Sequence, residues 1–487
     1  MTPTDEQKAI IEAAVSTNES LIINALAGAA KTTTLELICK ALPPSKPILS
    51  LAFNKRIAEA LSKKLPANTL CKTMNSVGHG AWAKATGRRL IVDTKKNGDI
   101  LKGYLNDVPR HLRYELDFGE ILDIVRKAKS QGYVPEGKYP DADRFITKEQ
   151  FYGGLDEEVS REVENAVDEV LLRSINLAFG GFIDFDDQIY MPVIFGGSWP
   201  QFGLVMGDEA QDFNPLNHRM LRKLVVDRFM AVGDPFQSIY AFRGAHTRSM
   251  SILKEWFNMK EMILSISFRN PISVVRRARE RAPHMKWRDG APEGRIVSLS
   301  EWGQEHIPDG AAVICRNNAP LFSMALSLLK EGRGCQLVGS DLGPGLVRIM
   351  KKLGDERMTQ AQTFDAIERW SEEHMKKARN PGVVYDKAEC LRVFAGFGNT
   401  LSEAIGYAEH LFKCEGPIQL LSGHKAKGLE WDTVFHLDPW RIPSKWAVSD
   451  EDIEQEKNVK YVIETRPKQD LFLASVTGFS GNGTSNQ

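Results

Sequence analysis

The chain has 487 residues, 42% hydrophobic and 26% charged, and its 63 Lys and Arg balance its 63 Asp and Glu to a formal net charge of zero. This composition excludes a mostly disordered chain and removes bulk charge as a reason to bind nucleic acid, so any basic groove must be local. No apolar run approaches the roughly 18 residues that span a bilayer, and the polar, acidic start Met1-Thr2-Pro3-Thr4-Asp5-Glu6 does not read as a secretory signal.

In chain order, Leu21-Ile22-Ile23-Asn24 predicts a buried strand, Lys31 to Leu42 a helix, Pro47 to Phe53 a second strand and Lys55 to Lys64 a second helix. Strands alternating with helices predict a parallel, doubly wound α/β sheet. From about Ala83 to Phe182 the chain becomes charged and helical, with apolar residues three and four apart in Glu157 to Leu177. This stretch reads as a helical insertion, because the α/β rhythm returns with Phe202 to Met206 and Phe229 to Val232. A second α/β run starts near Ser265, with strands predicted at Arg295–Leu299, Ala311–Cys315, Cys335–Val338, Ile418–Leu421, Thr433–Leu437 and Leu471–Ala474. Between Ser340 and Lys413 lies another charged helical stretch, read as a second insertion.

The resulting layout is 1–82 with 183–264 for the first α/β domain and 83–182 for its insertion. The second α/β domain takes 265–339 with 414–477, and its insertion 340–413. About 150 residues per domain suggests roughly three domains as a prior. The Gly-, Ser- and Asn-rich tail 478–487 reads as disordered. Cys39, Cys71, Cys315, Cys335, Cys390 and Cys414 are scattered with no C-x-x-C pair, which points to reduced thiols in a cytosol-like compartment. Neither they nor the ten histidines show zinc-ligand spacing.

After the first strand comes Ala25-Leu26-Ala27-Gly28-Ala29-Ala30-Lys31-Thr32-Thr33, then a helix. Strand, small-residue loop, Lys-Thr and helix is the order a phosphate loop requires. Small residues let backbone N–H groups close around phosphate oxygens, and the helix N-terminus adds partial positive charge. Lys31 would neutralise the β- and γ-phosphates and Thr32 would ligate Mg²⁺. Alanine stands at positions 25 and 30, where the usual pattern has glycine, and the Cβ of Ala30 threatens strain in the loop. By itself the stretch is equally readable as a small-residue helix start.

A second motif, Asp208-Glu209-Ala210-Gln211-Asp212, follows the apolar strand ending at Val205-Met206. A carboxylate at a strand tip can hold Mg²⁺, and the adjacent Glu can orient or deprotonate an attacking water. A lone Asp-Glu pair is more often a solvated turn. The order of loop first and acidic strand end second points to a nucleoside triphosphatase.

At this point the motifs, in their order, resemble a superfamily 1 helicase of the UvrD/Rep type over most of the chain outside the insertions. Glu6-Gln7 resembles the Q motif, Phe53-Asn54-Lys55 motif Ia, Thr73-Met74-Asn75-Ser76 motif Ib and Asp208 to Asp212 motif II. Gly233-Asp234-Pro235-Phe236-Gln237-Ser238-Ile239-Tyr240-Ala241-Phe242-Arg243-Gly244-Ala245 is similar to motif III and is the most specific of these signals. Ser267-Phe268-Arg269 resembles motif IV, His424 to Glu430 motif V and Tyr461 to Arg466 motif VI. Within the family, the texture around Phe53 and Thr73 resembles the F-box helicase branch, with no F-box-like region ahead of the Q motif, and implies a compact phage or bacterial member. Departures from the pattern are Ala30, Asn75 for the common His, Phe242 for the common Trp, and Glu464 and Pro467 around Thr465-Arg466.

The resemblance implies two RecA-like domains, each with an insertion, and an ATP-dependent DNA helicase or translocase moving 3′→5′. It implies ATP contacts from Gln7 (adenine), Ala27, Gly28, Ala29, Ala30, Lys31, Thr32, Thr33, Gly428 and Glu430, with Mg²⁺ held by Thr32 and Asp208. Catalysis would rest on Lys31, Asp208, Glu209, the γ-phosphate reporter Gln237, and two arginine fingers, Arg269 and Arg466. A guanidinium suits that role because its planar fork stays charged and pairs with two phosphate oxygens. The strand would stack on Phe53, Tyr240 and Phe242, each stack worth about 1–3 kcal/mol, with Asn54, Thr73, Asn75, Arg243 and His424 contacting it.

Partners implied are single-stranded and tailed or forked duplex DNA, with no membrane, in a monomer of the bacterial or viral-host cytoplasm, or of the nucleus if eukaryotic. Two alternatives stay open: an ATPase that strips proteins from DNA with little unwinding, and a nucleotide-sensing scaffold with a degenerate phosphate loop. The basic run Arg276–Arg281 reads as a solvated helix face, and Trp431, Trp440 and Trp446 read as packing residues.

Overall fold

A computed structural model of the chain describes residues 2–52, 54–113, 116–155, 158–239, 248–339, 342–378 and 381–480. They fall into two compact units, one within Met1–Leu26 and Ala30–Leu264, the other within Ala27–Ala29 and Ser265–Gln487.

The first unit is built on six strands, β1 (Leu21–Ala25), β2 (Ile48–Ala52), β3 (Thr69–Thr73), β4 (Leu204–Gly207), β5 (Phe229–Gly233) and β6 (Lys260–Leu264). Their order is β3-β2-β4-β5-β1-β6, and every pairing is parallel. Strands β2, β4 and β5 are buried along their whole length, as expected of apolar runs covered on both faces. β3 and β6 lie at the sheet edges with mixed exposure, which is why neither has an apolar run to betray it. Because all six strands run the same way, the residues following each of them share one sheet edge, where ligands of open α/β sheets bind.

The first insertion supplies the helices Lys96–Asp107, Phe118–Gln131 and Arg161–Phe179. Asp117 and Ser160 cap two of them by accepting backbone N–H bonds, and Gly132 (φ 71°) ends the second. The insertion has no core of its own. Leu101, Ile121, Val125, Phe151 and Val167 belong to the same buried cluster as Ile22, Leu49 and Val205 of the sheet. The helix Met74–Thr86 meets the return helix Asp187–Phe195 at Gly78, where a Cβ would lie 2.2 Å from the Gln188 carbonyl oxygen.

Four charges lock this junction. The Lys129 ammonium, fully buried, donates to Asp184, to Asp187 (2.7 Å) and to the Ser174 hydroxyl (2.9 Å), while Lys96 donates to Asp187. Removing one member of such a cluster strands the others in low dielectric. Lys129→Ala is therefore expected to destabilise the first unit by about 3–5 kcal/mol, read as a lowered denaturation midpoint. A loss below about 1 kcal/mol would mean the cluster is solvated.

The second unit repeats the architecture with β7 (Arg295–Leu299), β8 (Ala312–Cys315), β9 (Cys335–Leu337), β10 (Ile418–Ser422), β11 (Trp431–Leu437) and β12 (Pro467–Ala474). The order is β7-β12-β11-β8-β10-β9, again all parallel. Leu346, Met350, Ile367, Leu391, Phe394 and Leu401 of the second insertion share one buried cluster with Val313, Leu420 and Phe435. The two-sheet α/β architecture thus matches expectation, whereas compactness divides the chain in two rather than three.

Three smaller expectations hold only in part. Residues 478–480 are ordered: the Trp302 N–H donates to the Gly478 carbonyl (3.0 Å), Ser480 N–H donates to the Trp302 carbonyl (2.8 Å), and Phe479 sits edge-on to Trp302. The rest of that tail lies outside the described residues. The basic run is solvated only in part: Arg276 is exposed, whereas Arg277 pairs with buried Glu464 and Arg281 with half-exposed Glu454. Trp431 is buried, but Trp440 is 62% exposed and does not pack.

Candidate functional site

The phosphate loop leaves β1 at Ala25 and enters the helix Lys31–Ala41. Ala27 and Ala29 are buried, and Gly28 takes the left-handed region (φ 74°), at no steric cost to a glycine. Ala30 takes it too (φ 56°, ψ 42°), which costs a residue with a Cβ about 1–2 kcal/mol. Ala30→Gly is expected to relieve that strain and tighten nucleotide binding by about 2- to 10-fold, measured by titration with a fluorescent nucleotide. Weaker binding would show that the Cβ is not the strained element.

Gln7 is tied to this hinge. Its side chain completes a capping box with Thr4 and donates to the Thr34 hydroxyl (3.0 Å), which donates to the Ala30 carbonyl (3.1 Å). Thr32 and Thr33 are exposed on the first turn of the helix.

Lys31, Asp208 and Glu209 come together as expected. The Lys31 ammonium donates to Glu209 Oε2 at 2.7 Å. Burial would lower the lysine pKa, but Glu209, Asp208 and Asp234 outweigh it and raise it, so the ammonium stays charged. Glu209 is held with φ 53° in the left-handed region, a strained position for a non-glycine residue.

Asp208 is 5% exposed, and burial first, then the Glu209 charge, push its pKa up to about 6. A carboxylate short of counter-charge suits a hard dication, and the Thr32 hydroxyl supplies a second hard oxygen, so both fit Mg²⁺. Asp208 is ionised above about 6 and protonated below it, so ionisation costs the fold stability that protonation returns as pH falls toward 3.8. Divalent-dependent nucleotide affinity is therefore expected to fall as pH drops through about 6, and Asp208→Asn to flatten that profile. An unchanged slope between variants would contradict the assignment.

The turn after β5 completes this edge. Gln237 donates to Asp234 Oδ2 at 2.7 Å, and Asp234 accepts from the Phe236 N–H at 3.0 Å. Asp234 is fully buried, and the effect of burial exceeds that of Lys31, so its pKa is raised. Residues that sequence reasoning quoted but gave no role are Asp234 and Gln211, the latter with an amide Nε2 2.6 Å from Glu209 Oε2.

Of the expected strand contacts, Phe53, Tyr240, Phe242 and Arg243 lie outside the described residues. Asn54 and Thr73 are N-caps: Asn54 accepts from Ile57 N–H (2.9 Å) and Thr73 from Ser76 N–H (3.2 Å). They follow neighbouring strands β2 and β3, where Ala52 pairs with Thr73, so two helix N-termini with positive partial charge stand side by side. Asn75 donates to the Phe185 carbonyl (3.0 Å), and Phe185 is 60% exposed.

In the second unit, Arg269 donates to Glu430 Oε2 (2.6 Å), and Lys468 bridges the same carboxylate (3.0 Å). Burial raises the Glu430 pKa, but these two cations outweigh it and lower it. Arg466 is 1% exposed and donates to the carbonyls of Val462 (2.8 Å) and Leu429 (3.3 Å). Gly428 has φ 83° and open space beside its Cα. His424 lies half-buried in the turn after β10. The departure at Glu464 is explained locally. Arg277 grips it with two hydrogen bonds (2.7 and 2.9 Å) and His436 approaches at 3.2 Å, which overcomes burial and holds its pKa at about 2.

Comparison with known proteins adds an independent finding. The family model described as UvrD/REP helicase N-terminal domain matches residues 4–258, and that of the UvrD-like helicase C-terminal domain matches 364–478. The chain is 25% identical to F-box DNA helicase protein 1 of Schizosaccharomyces pombe, covering 96% of this chain and 57% of that protein. It is 27% identical to ATP-dependent DNA helicase PcrA of Bacillus subtilis over 51% of this chain and 36% of that protein. F-box DNA helicase 1 of Gallus gallus is 24% identical over 97% of this chain and 49% of that protein. The chain therefore spans little more than half the length of the first of these and less of the others.

Proposed function

The chain belongs to the UvrD/Rep helicase family, and we propose on that footing that it hydrolyses ATP to move 3′→5′ along single-stranded DNA and separate duplex strands. The observation that carries this reading is the shared sheet edge of the first unit. Lys31, Asp208, Glu209 and the Asp234–Gln237 turn form one hydrogen-bonded and electrostatic group there, and the N-capped helices after β2 and β3 open on the same edge. Fuel chemistry and strand contacts then rest on one rigid sheet.

Lys31 neutralises the phosphates that the loop N–H groups hold. Glu209 orients the attacking water and accepts its proton, once the phosphates draw Lys31 away from it. Mg²⁺, when bound, would be held by Thr32 and Asp208 and would offset charge on the phosphate oxygens. Gln237 contacts the γ-phosphate. Arg269 and Arg466 act as the arginine fingers, and Gly428 and Glu430 contact the nucleotide, as the family resemblance implies. Strand bases stack on Phe53, Tyr240, Phe242 and Phe185, while Asn54, Thr73, Asn75, Arg243 and His424 hold the backbone. Gln7 selects adenine.

No helix among the described residues is long and apolar enough to cross a membrane. The test is strand displacement on duplexes with a 3′ or a 5′ tail, beside ATP turnover with and without single-stranded DNA. Unwinding from the 3′ tail supports the reading, and unwinding only from the 5′ tail refutes the polarity. Release of a bound protein without strand separation would favour a protein-stripping translocase. ATP binding without turnover would favour a nucleotide-sensing scaffold.

A further inference from the structure

The water-activating carboxylate and the turn that opens the strand-contacting motif follow neighbouring strands, β4 and β5, and one side chain joins them. Gln211 is 1% exposed. Its Nε2 donates to Glu209 Oε2 (2.6 Å) and, more weakly, to Asp212 (3.3 Å). Its Oε1 accepts from the Asp234 N–H (3.0 Å), and the Ser238 hydroxyl donates to the Gln211 carbonyl (3.4 Å). The approach is possible only because residue 233 is glycine, since a Cβ there would lie 2.5 Å from Gln211 Oε1. The turn is braced from below as well. The Ser249 hydroxyl donates to the Ala210 carbonyl (2.6 Å), and His218 Nε2 lies 2.8 Å from the same hydroxyl.

From this geometry we infer that Gln211 is the positioning residue through which the 234–238 turn sets the orientation of Glu209, so that strand binding is transmitted to ATP hydrolysis. A carboxamide is suited to the task because it donates at one end and accepts at the other. A shift of the Asp234 backbone on strand binding pulls on Oε1 and turns Nε2 with it. Glu209 responds through the 2.6 Å hydrogen bond to Nε2, one of the contacts that hold its strained backbone in place. Gln211 touches neither fuel nor strand in this scheme and acts only through Glu209.

The inference rests on the proposed function, and the experiment separates the two. ATP turnover is measured on the full chain with and without saturating single-stranded DNA, for wild type, Gln211→Met and Gln211→Glu. Gln211→Met keeps the volume and loses both hydrogen bonds. Gln211→Glu is isosteric, keeps the acceptor for Asp234 and puts a carboxylate oxygen against Glu209. Both are expected to lower the stimulation ratio by at least about 10-fold while KM for ATP stays within about 3-fold, since the phosphate loop is untouched. Gln211→Glu serves where Gln211→Met fails to fold. A responsive wild type with equally responsive variants overturns this inference alone. Equal loss of basal and stimulated turnover also overturns it, because that is a local defect rather than a broken link. A wild type that hydrolyses ATP without any response to DNA overturns the functional reading and this inference together.

Discussion

Replacing Lys31 by alanine is expected to lower ATP turnover by at least about 10³-fold, measured as steady-state phosphate release at saturating single-stranded DNA. The ammonium is the counter-charge for three carboxylates, Asp208, Glu209 and Asp234, and is only 16% exposed. Removing it takes away the charge that faces the phosphates and leaves three acids repelling one another in a poorly solvated place. The pKa values of Asp208 and Asp234, already raised by burial, then rise further, and Glu209 loses its ion-pair partner at the same time as the phosphates lose their clamp. Lys31→Arg keeps the charge but not the compact point geometry, and is expected to recover little. Turnover of Lys31→Ala within about 10-fold of wild type would mean that this loop is not where phosphates bind.

The second large effect belongs to Arg269. Its loss is expected to reduce kcat by about 10²–10⁴-fold with KM for ATP changed less than about 5-fold, the pattern of a charge used mainly in the transition state. In this structure the guanidinium is parked on Glu430, which Lys468 also holds, so Glu430 keeps a cation when Arg269 is removed and the fold is little disturbed. Arg269→Lys is expected to recover less than about a tenth of the lost rate, because an ammonium cannot present two parallel N–H groups. An equal loss in thermal stability and in rate would point to a structural ion pair instead. Arg466 differs in this respect. It is buried on the carbonyls of Val462 and Leu429, so its replacement removes donors from buried acceptors and costs stability as well as rate.

The motif residues were legible because their order is a local property. A strand, a small-residue loop and Lys31-Thr32 can be read in the twelve residues from Leu21 to Thr32, and an apolar strand ending in Asp208-Glu209 in the six from Leu204 to Glu209. The interior strands β2, β4 and β5 were legible as well, since burial on both faces demands unbroken apolar runs. β3 and β6 were not, because an edge strand needs only one covered face and carries Thr69, Lys72, Lys260 and Glu261 without cost. Ala30 reads as a doubtful substitution in sequence, and the left-handed φ at that position identifies the physical reason.

By itself the sequence determined the α/β class and the two main sheets, which follow from periodicity, and the ordered motifs by which the chain resembles its family. Only the tertiary structure decided which groups meet. It set Lys31 on Glu209, buried Arg466 against its own helix, merged both insertions into the cores of their sheets and ran Gln211 between Glu209 and Asp234. The long-range pairings among these, Lys31 with Glu209 and Gln211 with Asp234, join positions that parallel strands distant in the chain bring to one sheet edge. Residue spacing along the chain carries no record of that closeness, because it arises only when the strands pair.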